Sequence, residues 1–95
     1  MNLEFEWDED KAAANQKKHR VSFEEAASVF ADRLATIFDD EIHSDEEQRE
    51  IIVGHSANNR LLLVCFTERA GRIRLISARQ ATKRERRDYE ESPHR

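Results

Sequence analysis

Leu3-Glu4-Phe5-Glu6-Trp7 alternates apolar and acidic side chains, the period-2 pattern of a strand with one buried face. Asp8 follows as an N-cap, and Asp8 to His19 reads as a polar helix whose apolar residues are Ala12, Ala13 and Ala14. Acids in its first turn and Lys17, Lys18 and His19 in its last complement the helix dipole. Ser22 and Glu25 have capping-box spacing, with Val21 and Ala26 placed to staple the entry. Phe23, Ala26, Ala27 and Phe30 then fall at i, i+3, i+4 and i+7, so a second helix presents one apolar stripe to a core.

Beyond residue 33 the period changes. Leu34 to Phe38 and Glu50 to His55 are expected strands, separated by an acidic loop from Asp39 to Glu47. Ala57 to Arg60 is a turn with two asparagines that tolerate positive φ. Leu61 to Phe66 is a run of six apolar residues and predicts a central strand buried on both faces. Ala70-Gly71 marks a hairpin turn, and Arg72 to Ala78 returns as the next strand. Thr82 and Glu85 repeat the capping-box spacing and open a last helix to about Glu91. The expected class is α+β: an antiparallel sheet of four to five strands, with two N-terminal helices and a C-terminal helix.

Ninety-five residues allow one domain, here 1–92, with 93–95 as a flexible tail. One cysteine, Cys65, excludes an internal disulfide and any Cys-rich zinc site, and its place in the apolar run predicts inert packing. No apolar stretch approaches a membrane span, and Met1-Asn2-Leu3-Glu4 is not a signal peptide, so a cytoplasmic protein is expected. The net charge of −4 conceals an asymmetry. Residues 1–68 hold 7 Lys/Arg against 16 Asp/Glu, whereas 69–95 hold 9 against 4. An acidic chain of this kind can still offer one basic face to a polyanion, because screening isolates patches beyond about 8 Å.

Two separated groups of residues resemble the BrnT toxin family. The first is Phe5-Glu6-Trp7-Asp8 with Lys11, Asn15, Lys18-His19 and Val21-Ser22-Phe23-Glu24-Glu25-Ala26. The second is Arg74-Leu75-Ile76-Ser77-Ala78-Arg79 with Ala81, Glu85-Arg86 and Tyr89. The resemblance runs from Leu3 to about Glu91. It implies a RelE-like ribonuclease fold and a type II toxin that cleaves RNA and inhibits translation. It also implies a BrnA-like ribbon-helix-helix antitoxin, with operator DNA reached only through the toxin–antitoxin complex.

Metal-independent RNA cleavage needs cationic groups at the phosphate and groups that move protons. Arg79, at the end of a strand and just before the last helix, is the first candidate for the phosphate clamp, with an ion pair to Glu85 as the structural alternative. Glu85 and Tyr89 are i, i+4 neighbours: the acid is a candidate base or a capping residue, and the phenol a stacking or proton-transfer group. His19 is a candidate general acid or a helix C-terminal cap. Lys18, Lys83, Arg86 and Arg87 are candidate RNA contacts, unless Arg84–Asp88 and Arg86–Glu90 pairs make the last helix a solvated, salt-bridged face. Trp7 is read as core, with base stacking as the alternative. Arg79, Arg86 and Tyr89 are expected to converge on one concave rim, with His19 near it. A metal site from His43, His55, Asp39, Asp40 and Asp45 has no supporting spacing, so neither metal nor cofactor is expected. Two other function classes fit the same residues: a non-catalytic nucleic-acid-binding module and a protein-interaction adaptor.

Overall fold

The computed structural model describes residues 3–42 and 47–92, so His43, Asp45, Glu46 and the tail 93–95 lie outside the described residues. The elements are β1 (Phe5–Glu6), α1 (Glu9–His19), α2 (Phe23–Ser28), a 3-10 turn (Val29–Ala31), β2 (Thr36–Asp39), β3 (Glu50–His55), β4 (Leu61–Arg69), β5 (Arg72–Gln80) and α3 (Lys83–Glu91). They build one five-stranded sheet in the order β1-β5-β4-β3-β2. The class is α+β, as the patterning predicts, and the long apolar run forms the middle strand.

The sheet is mixed rather than wholly antiparallel. Strands β2 to β5 form an antiparallel meander, but β1 pairs parallel to β5, Phe5 opposite Ile73 and Glu6 opposite Arg74. The chain passes through α1 and α2 between β1 and the meander, so β1 meets the free edge of β5 in the same direction. Only two residues pair, because Leu3 is half-exposed and Asp8 turns the chain into the helix.

Helix boundaries follow their caps. Asp8 accepts from the amides of Asp10 and Lys11 and stands outside α1. Ser22 accepts from Glu25 N at 3.0 Å, but the reciprocal half of the expected box is absent. The Glu25 carboxylate turns away and binds Arg60 Nε at 2.9 Å and the Ser56 hydroxyl at 2.6 Å. After Ser28 the second helix tightens into the 3-10 turn, which buries Val29 fully and leaves Phe30 partly buried. The Phe30 ring meets Phe5 and Phe66 edge-on at 5.2 and 5.0 Å. Strand β2 begins at Thr36, not Leu34, because Asp32 caps a turn by accepting from Leu34 N at 3.0 Å. Gly54 lets that turn close on the sheet: a Cβ there would lie 2.8 Å from Ala35 Cβ.

One face of the sheet carries the core. Ile52, Leu62, Val64, Phe66, Ile73, Leu75 and Ala78 pack against Val21, Phe23, Ala26 and Val29. Trp7 borders this cluster, edge-on to Phe23 at 5.9 Å, with its indole N–H on Glu9, which bears out the core reading. The opposite face is more open. Leu63 and Cys65 point there and are only half-buried, so β4 is not dry on both sides.

Candidate active site

Strict alternation along β5 would put Arg79 on the core face with Ile73 and Leu75. It does not lie there. Cys65 pairs with Ser77 but Phe66 pairs with Leu75, so Ile76 is one residue extra on β5. This bulge reverses the alternation: Ala78 joins the core, and Arg79, opposite Leu63, turns to the open face. The strand also runs two residues beyond its expected end, and Arg79 sits inside it rather than after it. Its backbone is therefore held by the sheet.

The neighbouring backbone has a further clamp. Ala78 directs its N–H and C=O to the outer edge of β5, beyond the two residues that β1 covers. The buried Asn15 amide fills that edge: Nδ2 donates to Ala78 O at 2.9 Å, Ala78 N donates to Oδ1 at 3.1 Å, and Nδ2 also donates to Val21 O. His19 lies one turn later on the same face of α1. That spacing brings it to the Arg79 end of β5, and both residues line a cavity of about 530 Å³ on the open face. Asp40, Arg49, Cys65 and Ser77 share its walls.

The Arg79 guanidinium is paired. Nη1 donates to Glu85 Oε1 at 2.8 Å and Nη2 to Glu85 Oε2 at 2.9 Å, the bidentate end-on geometry. Its Nε edge makes no hydrogen bond among the described residues. Glu85 meanwhile completes the predicted capping box, accepting from Thr82 N while Thr82 Oγ1 accepts from Glu85 N. The Arg79 guanidinium holds the Glu85 carboxyl down at about 2, against the opposing effect of burial. A carboxylate so stabilised is a weak base while the pair persists.

Tyr89 faces a second cavity, of about 330 Å³, bordered also by Glu85 and sharing Leu63 with the first. Its hydroxyl donates to Leu34 O at 3.0 Å and its ring meets His55 at 5.9 Å. Burial, then the negative charge of Asp32, pushes its pKa upward, so the phenol stays a donor. The Arg79–Glu85 pair stands where the two cavities adjoin. Sequence reasoning expected one rim holding Arg79, Arg86 and Tyr89. The structure instead divides these residues, since Arg86 is exposed, 3.9 Å from Glu90, and lines neither cavity. Lys18, Lys83 and Arg87 are exposed too, and the expected Arg84–Asp88 pair does not form among the described residues.

Three wall residues escaped the sequence reading. Asp40 lies in the expected acidic loop, yet it is 8 % exposed and accepts from Cys65 Sγ at 3.7 Å. Cys65 lies on the cavity wall rather than in the core, and burial, with Asp40 beside it, pushes the thiol up to about 11. It is no nucleophile at neutral pH. Arg49, just before β3, has no sequence signal beyond its position after the acidic stretch. No group of three His, Cys, Asp or Glu side chains among the described residues is arranged to hold a metal ion. No helix among them is long and apolar enough to cross a membrane.

The family model described as the ribonuclease toxin BrnT, of type II toxin–antitoxin systems, matches residues 7–85. That span includes Trp7, Asn15, His19, Arg79 and Glu85, whereas Arg86 and Tyr89 fall just beyond it. A crystal structure of the Brucella abortus ribonuclease toxin BrnT is similar over 86 % of this chain and 100 % of that one, with 21 % identity and a TM-score of 0.66. At that identity the structural likeness is one of fold. Comparison with curated protein sequences gives no match.

Proposed function

Because the chain belongs to the BrnT ribonuclease toxin family of type II toxin–antitoxin systems, we propose that it is a cytoplasmic endoribonuclease that cuts RNA without a metal ion and thereby inhibits translation. The ribose 2′-hydroxyl attacks the adjacent phosphorus, the bond to the 5′-oxygen breaks, and a 2′,3′-cyclic phosphate forms. The observation that carries this reading is a buttressed guanidinium, Arg79, at the mouth of a cavity that His19 also lines.

In this mechanism the phosphate approaches the Nε edge of Arg79, which stabilises the extra negative charge of the phosphorane. Glu85 is a positioning residue that fixes the guanidinium plane. His19 donates the proton that the leaving 5′-oxygen needs, and the Asp40 carboxylate on another wall of the cavity accepts the 2′-hydroxyl proton. Tyr89 contacts the RNA beside the cut. In this reading the exposed cations Lys18, Lys83, Arg86 and Arg87 follow the RNA backbone.

The partner in this reading is a BrnA-like ribbon-helix-helix antitoxin, through which alone the complex reaches operator DNA. Its inhibitory segment carries Asp or Glu opposite Arg79 and Arg86 and apolar anchors beside them. Complementary charge raises the association rate, while buried anchors set the dissociation rate. Antitoxin binding then protects the Arg79 and Tyr89 backbones in hydrogen exchange. Protection confined to the acidic segment after β2 would refute occlusion of the site.

Neutralisation of Arg79 by Glu85 favours a second reading, a nucleic-acid-binding or protein-interaction module of the same fold without chemistry. Purified protein incubated with RNA separates the two. Cleavage by the wild type and none by a folded Arg79→Ala variant supports the ribonuclease, whereas retention of intact RNA supports the module.

A further inference from the structure

The cavity beneath α3 takes no part in the bond-making and bond-breaking above, although Tyr89, which lines it, contacts the RNA in that mechanism. Its lining includes Thr36 and Phe38 on β2, Val53 on β3, Leu63 on β4 and Asp88 and Tyr89 on α3. The Tyr89 ring is held in place at two points, through its hydroxyl on Leu34 O and its edge contact with His55. At about 330 Å³ the space is in the range of small-ligand sites, about 300–1,000 Å³. A lining that combines the aromatic Phe38 and Tyr89 with the aliphatic Val53 and Leu63 suits a flat π system.

Two more observations select the occupant. Glu85 borders this cavity and is bonded to Arg79, so a phosphate on Arg79 leaves the adjoining nucleotide at the cavity mouth. The Asp88 carboxylate makes no hydrogen bond or ion pair among the described residues; only its backbone carbonyl is engaged, by Ser92. It is an exposed acceptor that no protein donor occupies among the described residues.

We propose that this cavity receives the base next to the scissile phosphate and that Asp88 selects bases presenting amino donors, guanine foremost. The inference rests on the ribonuclease reading and specifies its substrate. An ionised carboxylate only accepts. Guanine places N1–H and the N2 amino group side by side on its Watson–Crick edge, matching both carboxylate oxygens. Uracil offers one N–H between two carbonyl oxygens, which the carboxylate repels. Single-stranded RNA is read on that edge while its bases stack on aromatic side chains.

The test compares the wild type with Asp88→Asn on a pool of short RNAs randomised over several positions, with the product ends sequenced. The readout is the ratio of guanine to uracil beside the cut, which a general loss of charge or of folded protein does not move. The wild-type ratio is expected to exceed the variant's about tenfold, the scale of one bidentate base contact. Equal ratios, or a wild type without base preference there, would overturn the proposal. Should the wild type cut no RNA, the same bases carried in oligonucleotides with a 2′-deoxy residue at the cut position are compared by fluorescence anisotropy. A guanine preference that Asp88→Asn removes supports the slot while the ribonuclease reading fails. Binding without preference overturns both.

Discussion

Asn15 on α1 and Ala78 on β5, 63 residues apart, are joined by two hydrogen bonds between a buried side-chain amide and a strand backbone. The amide continues the ladder where β1 stops, and it fixes the one helix that carries His19 against the one strand that carries Arg79. Replacing Asn15 with Ala leaves Ala78 N–H, Ala78 C=O and Val21 C=O without this partner. The expected cost is about 2–4 kcal/mol, because buried polar groups lose both partner and solvent. Urea denaturation measures it, and a loss under about 0.5 kcal/mol would contradict the clamp.

Arg79→Lys discriminates a clamp from a charge. Lysine keeps the positive charge but loses the planar fork that Glu85 now holds in two places. RNA cleavage is expected to stay within about tenfold of the Arg79→Ala background. Restoration to near wild-type rate would show that any cation at this position suffices.

Phe30 packs against the core as the stripe predicts, but it is only partly buried and lies in the 3-10 turn rather than in α2. Its ring still joins Phe5 and Phe66. Phe30→Ala is expected to cost about 2–3 kcal/mol, below the usual 3–5 for a fully buried ring. Val29, fully buried in the turn before it, is the more sensitive position to any polar replacement. Thermal midpoints of Phe30→Ala and Val29→Thr report both.

Two carboxylates set an acid limit. Hydrogen bonding from Arg60, opposed by burial, holds Glu25 at about 2, and Arg79 does the same for Glu85. Folded values below the ordinary 4.5 mean that the fold favours the ionised forms. Their stabilisation is complete above about pH 4.5 and is lost as pH falls toward 2. Glu25, with 8 % of its side chain exposed, contributes the larger share, about 2–3 kcal/mol, and the more exposed Glu85 less. Glu25→Gln is expected to flatten the fall in unfolding free energy between pH 5 and about pH 2.5. An unchanged pH profile would contradict the Glu25–Arg60 pair.

Local pattern determined the elements by itself. The stripe at Phe23 and Ala26, the caps at Asp8, Ser22 and Thr82, the Ala70-Gly71 hairpin with both φ positive, and the interior place of Leu61 to Phe66 all depend on neighbours in the chain. The ion pair of Arg79 with Glu85 was legible for the same reason, since strand and cap are six residues apart. The structure alone decided which face each strand residue takes and which distant groups meet. A one-residue bulge at Ile76 changes the sidedness of Arg79 without changing composition or hydrophobicity. Asp40 is acidic by sequence and buried by position, because the cavity that encloses it is assembled from three strands and a helix. The parallel pairing of β1 likewise depends on where the meander leaves an open edge. Periodicity encodes local conformation, whereas a site is a matter of register and of contacts between residues far apart in the chain, and these exist only once the sheet has closed.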